Sequence, residues 1–442
     1  MKKSIVVLVL VLGTYLPILA QDSLRLSFDK AVEIALEQNL NHQINLNQQS
    51  VVQAQKKQAF FANFPSVSAS TNVSSSTGQQ FQQVEGELIV QNITNNVVSS
   101  GLNVNAPIFN AFRRIHTYHA SRFRLDAGEE NVNRSEQNVI FEVGTRYLQI
   151  LLDQELLNIA QENLINQQEQ LRQIEGFVEN GLRTLSDQYN QQSEVARLEA
   201  VKVDAEMQLE NDQLLLAETL QLMPGQIPIV EEIQAEFVEN EWLNLSIDEL
   251  VSQAMQFRSD LKSQRFAEEA FRMDLKASKS IYYPQLSAYF NYNTFFTSLD
   301  DRSFNEQFLN IYPQRALGLR LSIPIFSNFE NKLRVSQNKV AVINEELRSA
   351  DLERKIYQDV RLAYQNYKAS IAKMKSNELQ LAAATEAQKA ISERFRLGVS
   401  NFVDLAQANR QLAQAQADYA QATYTLYFQD VMLKYALGTL NF

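Results

Sequence analysis

Two seven-residue stretches place a carboxylate after a glycine with five residues between: "GLRTLSD" over residues 181–187 and "GVSNFVD" over residues 398–404. Neither Asp187 nor Asp404 has a base or nucleophile in its motif, so the spacing does not point to acid–base catalysis. Each has two readings. A first-turn acid is favourable to the helix dipole. Where copies of a chain meet on an axis, a ring of carboxylates admits cations and turns away anions. His116 and His119 are three apart at a predicted helix start and share a face, but a metal would need a third ligand. The chain has 3 His and no Cys, so a solvated helix start is the preferred reading. Asp300 and Asp301 sit in a predicted loop without a base or pocket. There is no phosphate loop, no G-x-S-x-G and no helical metal pair. We therefore expect no enzyme, no cofactor and no metal site.

The elements carrying the two motifs follow from proline and periodicity. No proline lies between Pro107 and Pro224, and none follows Pro324. Proline disrupts helix interiors, so both blocks permit helix, and the pattern supplies it. Leu405, Ala408, Leu412, Ala415, Tyr419, Ala422 and Leu426 step by three and four, a heptad seam of alternating large and small residues. The first copy keeps that register at Val195, Leu198, Ala205 and Leu209, with Lys202 interrupting it. Each block has one break. Gly181 or Gly398 ends a helix in the left-handed conformation, and a Thr, Ser or Asn beyond it caps the next. Each block is thus a helical hairpin with a first arm of about 70 residues, roughly 100 Å at 1.5 Å per residue.

Between the prolines the period changes to two. Leu317, Leu319, Leu321 and Ile323 alternate with Gly318, Arg320 and Ser322. Leu286, Ala288, Phe290 and Tyr292 alternate with Gln285, Ser287, Tyr289 and Asn291. Leu102, Val104, Ala106 and Ile108 oppose Asn103 and Asn105. These are strands with one apolar face. Aromatics cluster toward their ends: Tyr282, Tyr283, Phe295, Phe296 and Tyr312. An apolar outer face, a polar inner face and aromatic girdles fit a transmembrane barrel; a soluble sandwich would alternate in the same way. "STGQQ" and "NNVVSSG" are expected to be outer loops or strand ends.

The chain writes this plan twice. "GLNVNAPIFNAF" (residues 101–112) returns as "GLRLSIPIFSNF" (residues 318–329). Pro65 pairs with Pro284, Gly181 with Gly398 and Asp187 with Asp404. The expected organisation is a signal peptide at 1–20 and a first repeat at 21–244, with strands at about 64–109 and a helical hairpin at about 110–223. A second repeat spans 245–442, with strands at about 281–326 and a hairpin at about 327–440. Lys2 and Lys3, an apolar run and a terminus at Ala20 make the signal peptide, cut before Gln21; an uncleaved anchor is the other reading. Past residue 20 no apolar run approaches the ~18–20 residues of a spanning helix. Any membrane passage must then be a β-barrel. Net charge is −11, which disfavours a nucleic-acid partner. Four strands cannot close a barrel, but three chains give twelve. The duplication would make a trimer approximate a six-fold tube of helices.

The duplication, the strand–Pro–Ile–Phe–helix junctions, the two G-x5-D tips and the ending "ALGTLN" (residues 436–441) together resemble the TolC family of outer-membrane efflux channels over essentially the whole mature chain. The resemblance implies a mixed α and β fold. Long antiparallel helical hairpins form an α-barrel, and four strands per chain enter a trimeric twelve-stranded transmembrane β-barrel. It implies a homotrimer in outer-membrane lipid with a periplasmic helical extension. The homotrimer would be a passive exit duct for tripartite efflux or type I secretion, docked to a periplasmic adaptor and an inner-membrane pump of RND or ABC type. It implies a pore constriction at Asp404, Gln407 and Asp187. It also implies adaptor-docking tips made of Gly181, Leu182, Arg183, Thr184, Leu185 and Ser186 with Gly398, Val399, Ser400 and Asn401. The family often has a second Asp where this chain has Gln407. It also has a basic residue and a tyrosine where this chain has Ser400 and Phe395, so the closing network must differ here. The rival reading is a periplasmic structural or adaptor protein with coiled-coil hairpins.

Overall fold

The computed structural model describes residues 23–84, 87–232 and 241–440; the signal-peptide reading of residues 1–20 lies outside them. Both repeats open on a short capped helix. Strand β1 (Ser23–Leu26) leads to α1 (Phe28–Gln38), where the Ser27 hydroxyl accepts from the Lys30 amide. Then come α2 (Leu40–Phe61), the strands β2 (Ser66–Val84) and β3 (Glu87–Phe109), and the two hairpin helices α3 (Arg113–Glu179) and α4 (Leu185–Thr219). Strand β4 (Ile227–Val230) precedes the second copy. There α5 (Ile247–Phe257) is capped by Ser246 in a reciprocal box with Glu249, satisfying two end donors at once. The copy continues with α6 (Ser259–Lys279), β5 (Gln285–Thr297), β6 (Gln314–Ser322), α7 (Glu330–Arg396) and α8 (Phe402–Leu437). Among the described residues, no helix is long and apolar enough to cross a membrane.

The sequence repeats are not the units of packing. Among the described residues, two compact units each draw on both copies: 23–43 with 135–232, 241–258 and 356–440, and 44–84 and 87–134 with 259–355.

In the first unit, Ala31, Val32 and Ala35 of α1 pack on Val139, Val143, Tyr147 and Ile150 of α3, on Leu216 of α4 and on Leu220 just beyond its end. β1 and β4 pair in parallel from Ser23 opposite Ile227 to Leu26 opposite Val230. These strands were not anticipated; four residues are too few to show a period. Tyr147 pins them. Its buried hydroxyl lies 3.0 Å from the Leu26 carbonyl and 2.7 Å from the Glu231 carbonyl, and accepts from the Glu231 amide at 3.0 Å. The heptad seam of α8 is largely buried, with Leu405, Ala408, Ala415, Ala422 and Leu426 each 3% exposed or less.

The second unit is built on one antiparallel sheet in the order β2-β3-β5-β6. The two copies therefore meet at β3 and β5 in its middle, and β2 and β6 are its edges. The register carries apolar residues across all four strands. Val67 lies opposite Val104, Val104 opposite Phe290 and Phe290 opposite Leu317. One pleat over, Ser68, Asn103, Asn291 and Ala316 form a mainly polar row. The sequences "STGQQ" and "NNVVSSG", expected as loops or strand ends, lie within paired β2 and β3. Hydroxyl pairs support them: Thr77 with Thr94 and Thr71 with Ser100, both at 2.9 Å, in the manner of cross-strand side-chain pairs.

Candidate functional site: the hairpin tips and the strand sheet

The two tips in the first unit are built alike. Gly181 has φ +71° and Gly398 has φ +78°. The Gly181 amide donates to Val178 and the Leu182 amide to Phe177; Gly398 donates to Phe395 and Val399 to Arg394. Each pair of bonds is the left-handed termination that satisfies the last carbonyls of a helix. An added Cβ at either glycine would meet nothing within 4 Å, so glycine is required by backbone conformation and not by crowding. Leu182 and Val399 directly follow and are 70% and 63% exposed.

The next helix then starts on a polar cap. The Thr184 hydroxyl accepts from the Asp187 amide at 3.2 Å, and the Asp187 carboxylate accepts from the Thr184 amide at 3.3 Å. On the second tip, Asn401 accepts from the Asp404 amide at 2.8 Å and the Ser400 hydroxyl donates to the Asp404 carboxylate at 3.0 Å. Both acids are therefore the third residue of their helices, bonded to their own caps. Asp404 and Gln407 are exposed and Asp187 is half-buried. Leu185 and Ser186 are exposed beside Asp187.

What joins the tips is Arg183. Its guanidinium carbon lies 4.1 Å from the centre of the Phe395 ring, and its Nη2 donates to the Phe395 carbonyl at 3.0 Å. That carbonyl also accepts from Gly398, at the negative end of α7. Phe395 is buried with Ile174, Phe402, Leu405 and Ala406. Phe395, where the chain was expected to differ from the family, thus meets a basic side chain that comes from the first tip. The sequence signal for it was the arginine two residues after Gly181, with no indication of what it would touch.

In the second unit the apolar strand face is bare. Val67, Val73, Leu317, Leu319 and Leu321 are all 61% exposed or more. Tyr282 and Tyr283 stand exposed at the start of β5, and Phe295 and Phe296 lie half-buried at its far end. Phe295 stacks on Tyr312 with ring centres 4.2 Å apart, and Phe296 tilts against Phe304 at 5.2 Å. The loop beyond them is ordered around Gln307. Its buried amide donates to the Thr297, Asp300 and Arg302 carbonyls and accepts from the Thr297 amide. Asp300 bonds Arg302 and the Tyr312 hydroxyl, which holds its carboxyl well below the usual range. Asp300 is thus spent on loop structure.

Two further features carried no sequence signal. Ala111 and Phe112 have φ of 50° and 62°, and Asn328 and Phe329 have φ of 46° and 63°. Both strand-to-helix junctions thus turn through two consecutive left-handed non-glycine residues, a conformation that is costly for L-residues. At the first junction the Ser280 hydroxyl donates to the Ala111 carbonyl at 2.7 Å. His116 and His119 follow it on α3. Among the described residues, no cluster of three or more His, Cys, Asp or Glu could hold a metal ion.

The hairpin with a capped tip occurs twice in the chain, and the sheet has a bare apolar face. The family model of outer membrane efflux proteins matches the chain twice, at residues 32–220 and 250–439. The chain belongs to that family, and its location is the outer membrane. Among similar proteins, the outer membrane protein TolC of Vibrio cholerae serotype O1 is 23% identical, with 78% of this chain and 77% of that protein covered. The alkaline protease secretion protein AprF of Pseudomonas aeruginosa is 20% identical, with coverages of 97% and 88%. The crystal structure of the outer membrane protein VceC from Vibrio cholerae superposes with a TM-score of 0.79 at 15% identity, covering 93% of this chain and 96% of that one.

Proposed function

We propose that three copies of this chain close one twelve-stranded barrel in the outer membrane and continue as a helical tunnel into the periplasm. The assembly is a passive exit duct. Its tips close the inner end, dock a periplasmic adaptor, and receive cargo driven by an inner-membrane pump of RND or ABC type.

One observation carries this reading: a four-stranded sheet that is apolar and bare on one face and ends on two edge strands, β2 and β6. Unpaired edges invite pairing with another chain, and a lipid face must have none. Joining β6 of one copy to β2 of the next answers both demands. The thirteen residues of β5 extend about 43 Å at 3.3 Å per residue. Tilted by about 45°, that covers roughly 30 Å of height, enough for the ~25 Å apolar band of such barrels. Tyr282 and Tyr283 then lie at one interface and Phe295, Phe296 and Tyr312 at the other. Asp404, Gln407 and Asp187 face the constriction, and residues 181–186 and 398–401 form the docking surface.

The native mass of the protein extracted from outer membranes in mild detergent tests this. A detergent-dependent trimer is expected. A monomer that stays soluble without detergent refutes the duct and favours a periplasmic coiled-coil protein.

A further inference from the structure

The seam of the first hairpin, between α3 and α4, is apolar except at a few places. Leu164, Leu171, Val195 and Leu198 pack together in it. The Gln191 amide donates to the backbone and side-chain oxygens of Gln167 at 2.9 and 3.0 Å. That polar pair is satisfied by its own donors and acceptors. Further along the same seam Asp153 faces Asp212, and this pair is not. Asp153 is 3% exposed and Asp212 5% exposed. Gln149 donates to one oxygen of Asp153 at 3.1 Å, and Gln208 donates to one oxygen of Asp212 at 2.7 Å. The second Asp153 oxygen is buried without a donor, although the two carboxyls lie within hydrogen-bonding reach. Two carboxylates offer only acceptors, so as anions they would repel at contact distance in a dry seam.

We propose that Asp153 and Asp212 form a proton-binding site that ties the two arms of the first hairpin, one carboxylic acid donating to one carboxylate. The added proton turns the orphaned oxygen into a donor and removes one of two buried charges. Like-charged carboxyls that share a site hold one proton between them for this reason. Burial, then the hydrogen bond to Asp212, then its charge, push the Asp153 carboxyl up to about 7. Asp212 is the charged group acting on it. The hairpin is therefore tied in acid and loosened in alkali. The fold binds the proton more tightly than the unfolded chain does. Stability from this site is whole below the ordinary carboxyl value of about 4 and is lost as pH rises toward about 7.

The test uses the full chain in detergent. Its unfolding equilibrium is measured from pH 4 to 9 beside Asp153→Asn and Asp212→Asn, and infrared spectra are taken of all three. An asparagine keeps a donor in the pair but cannot titrate. The wild type should lose stability relative to either variant by up to tenfold in the equilibrium constant per pH unit between about 4 and 7, and then level off. A protonated-carboxyl stretch should disappear through the same range and be missing from Asp153→Asn. Equal pH profiles in all three proteins overturn the proposal. So does an effect reversed by magnesium or a chelator, since a divalent cation would then bridge the pair. If the variants do not fold, the infrared titration of the unsubstituted chain decides, and no titrating carboxyl near pH 7 refutes the site.

Discussion

Arg183→Ala removes the contact that links the two hairpin tips of one protomer. The guanidinium sits 4.1 Å over a buried phenylalanine ring and donates to its backbone carbonyl at 3.0 Å. A cation–π contact is worth about 0.5–1 kcal/mol at an exposed site and about 2 when desolvated; Arg183 is half-buried. A hydrogen bond from a charged donor adds about 1.5 kcal/mol. The Phe395 carbonyl keeps its bond from Gly398, so no acceptor is orphaned and the loss falls short of the sum. About 1–2 kcal/mol per protomer remains, a factor of roughly 5–30 in the balance between joined and separated tips. Single-channel recording in planar bilayers reads this directly. The open fraction of Arg183→Ala should rise by that factor, with Arg183→Lys in between, because a lysine lacks the planar fork that stacks and donates together. Phe395→Leu should mimic the loss, and the double variant should be less than additive. An unchanged open fraction in well-folded Arg183→Ala, or full additivity with Phe395→Leu, would show that the clasp does not hold the tips.

Gly398→Val and Gly181→Val should each cost about 1–2 kcal/mol at the tip, since a left-handed backbone penalises a β-branched residue. Export by the double variant at normal expression would remove the tips from docking. Asp404→Asn should lower cation preference in the open pore, measured by reversal potentials across a salt gradient; unchanged selectivity would leave Asp404 as a helix-start acid bonded to Ser400. Tyr147→Phe removes the hydroxyl that bonds the Glu231 carbonyl, while the Glu231 amide keeps the Leu26 carbonyl as acceptor; it should lower stability by about 1 kcal/mol, read as a drop in the unfolding midpoint. The same phenol, pushed up to about 12 chiefly by burial, favours the fold only while neutral. That contribution should hold below pH 10 and fade from pH 10 to 12, and a flat profile there would place Tyr147 in a wetter setting.

Local pattern was enough to read the long elements of this protein, though not the four-residue strands β1 and β4. Period-two alternation marked the strands, three-and-four spacing marked the seam of α8, and scarcity of proline marked the long helices. Gly181 and Gly398 marked the tips, because a left-handed helix end constrains one residue by its own backbone. The duplication was legible for the same reason: each copy repeats the local rules in order. Partner choice was not legible, because it depends on residues far apart in the chain. Only the fold set β3 of one copy beside β5 of the other, and only the fold divided the chain into packed units that cut across the repeats. It brought Arg183 onto Phe395, 212 residues away. It also set Asp153 against Asp212 in a seam where the heptad rule expects apolar residues. The left-handed turns at Ala111 and Phe112, and again at Asn328 and Phe329, go against local preference. They persist because the strand before and the long helix after each fix where the chain must go, and that constraint is tertiary.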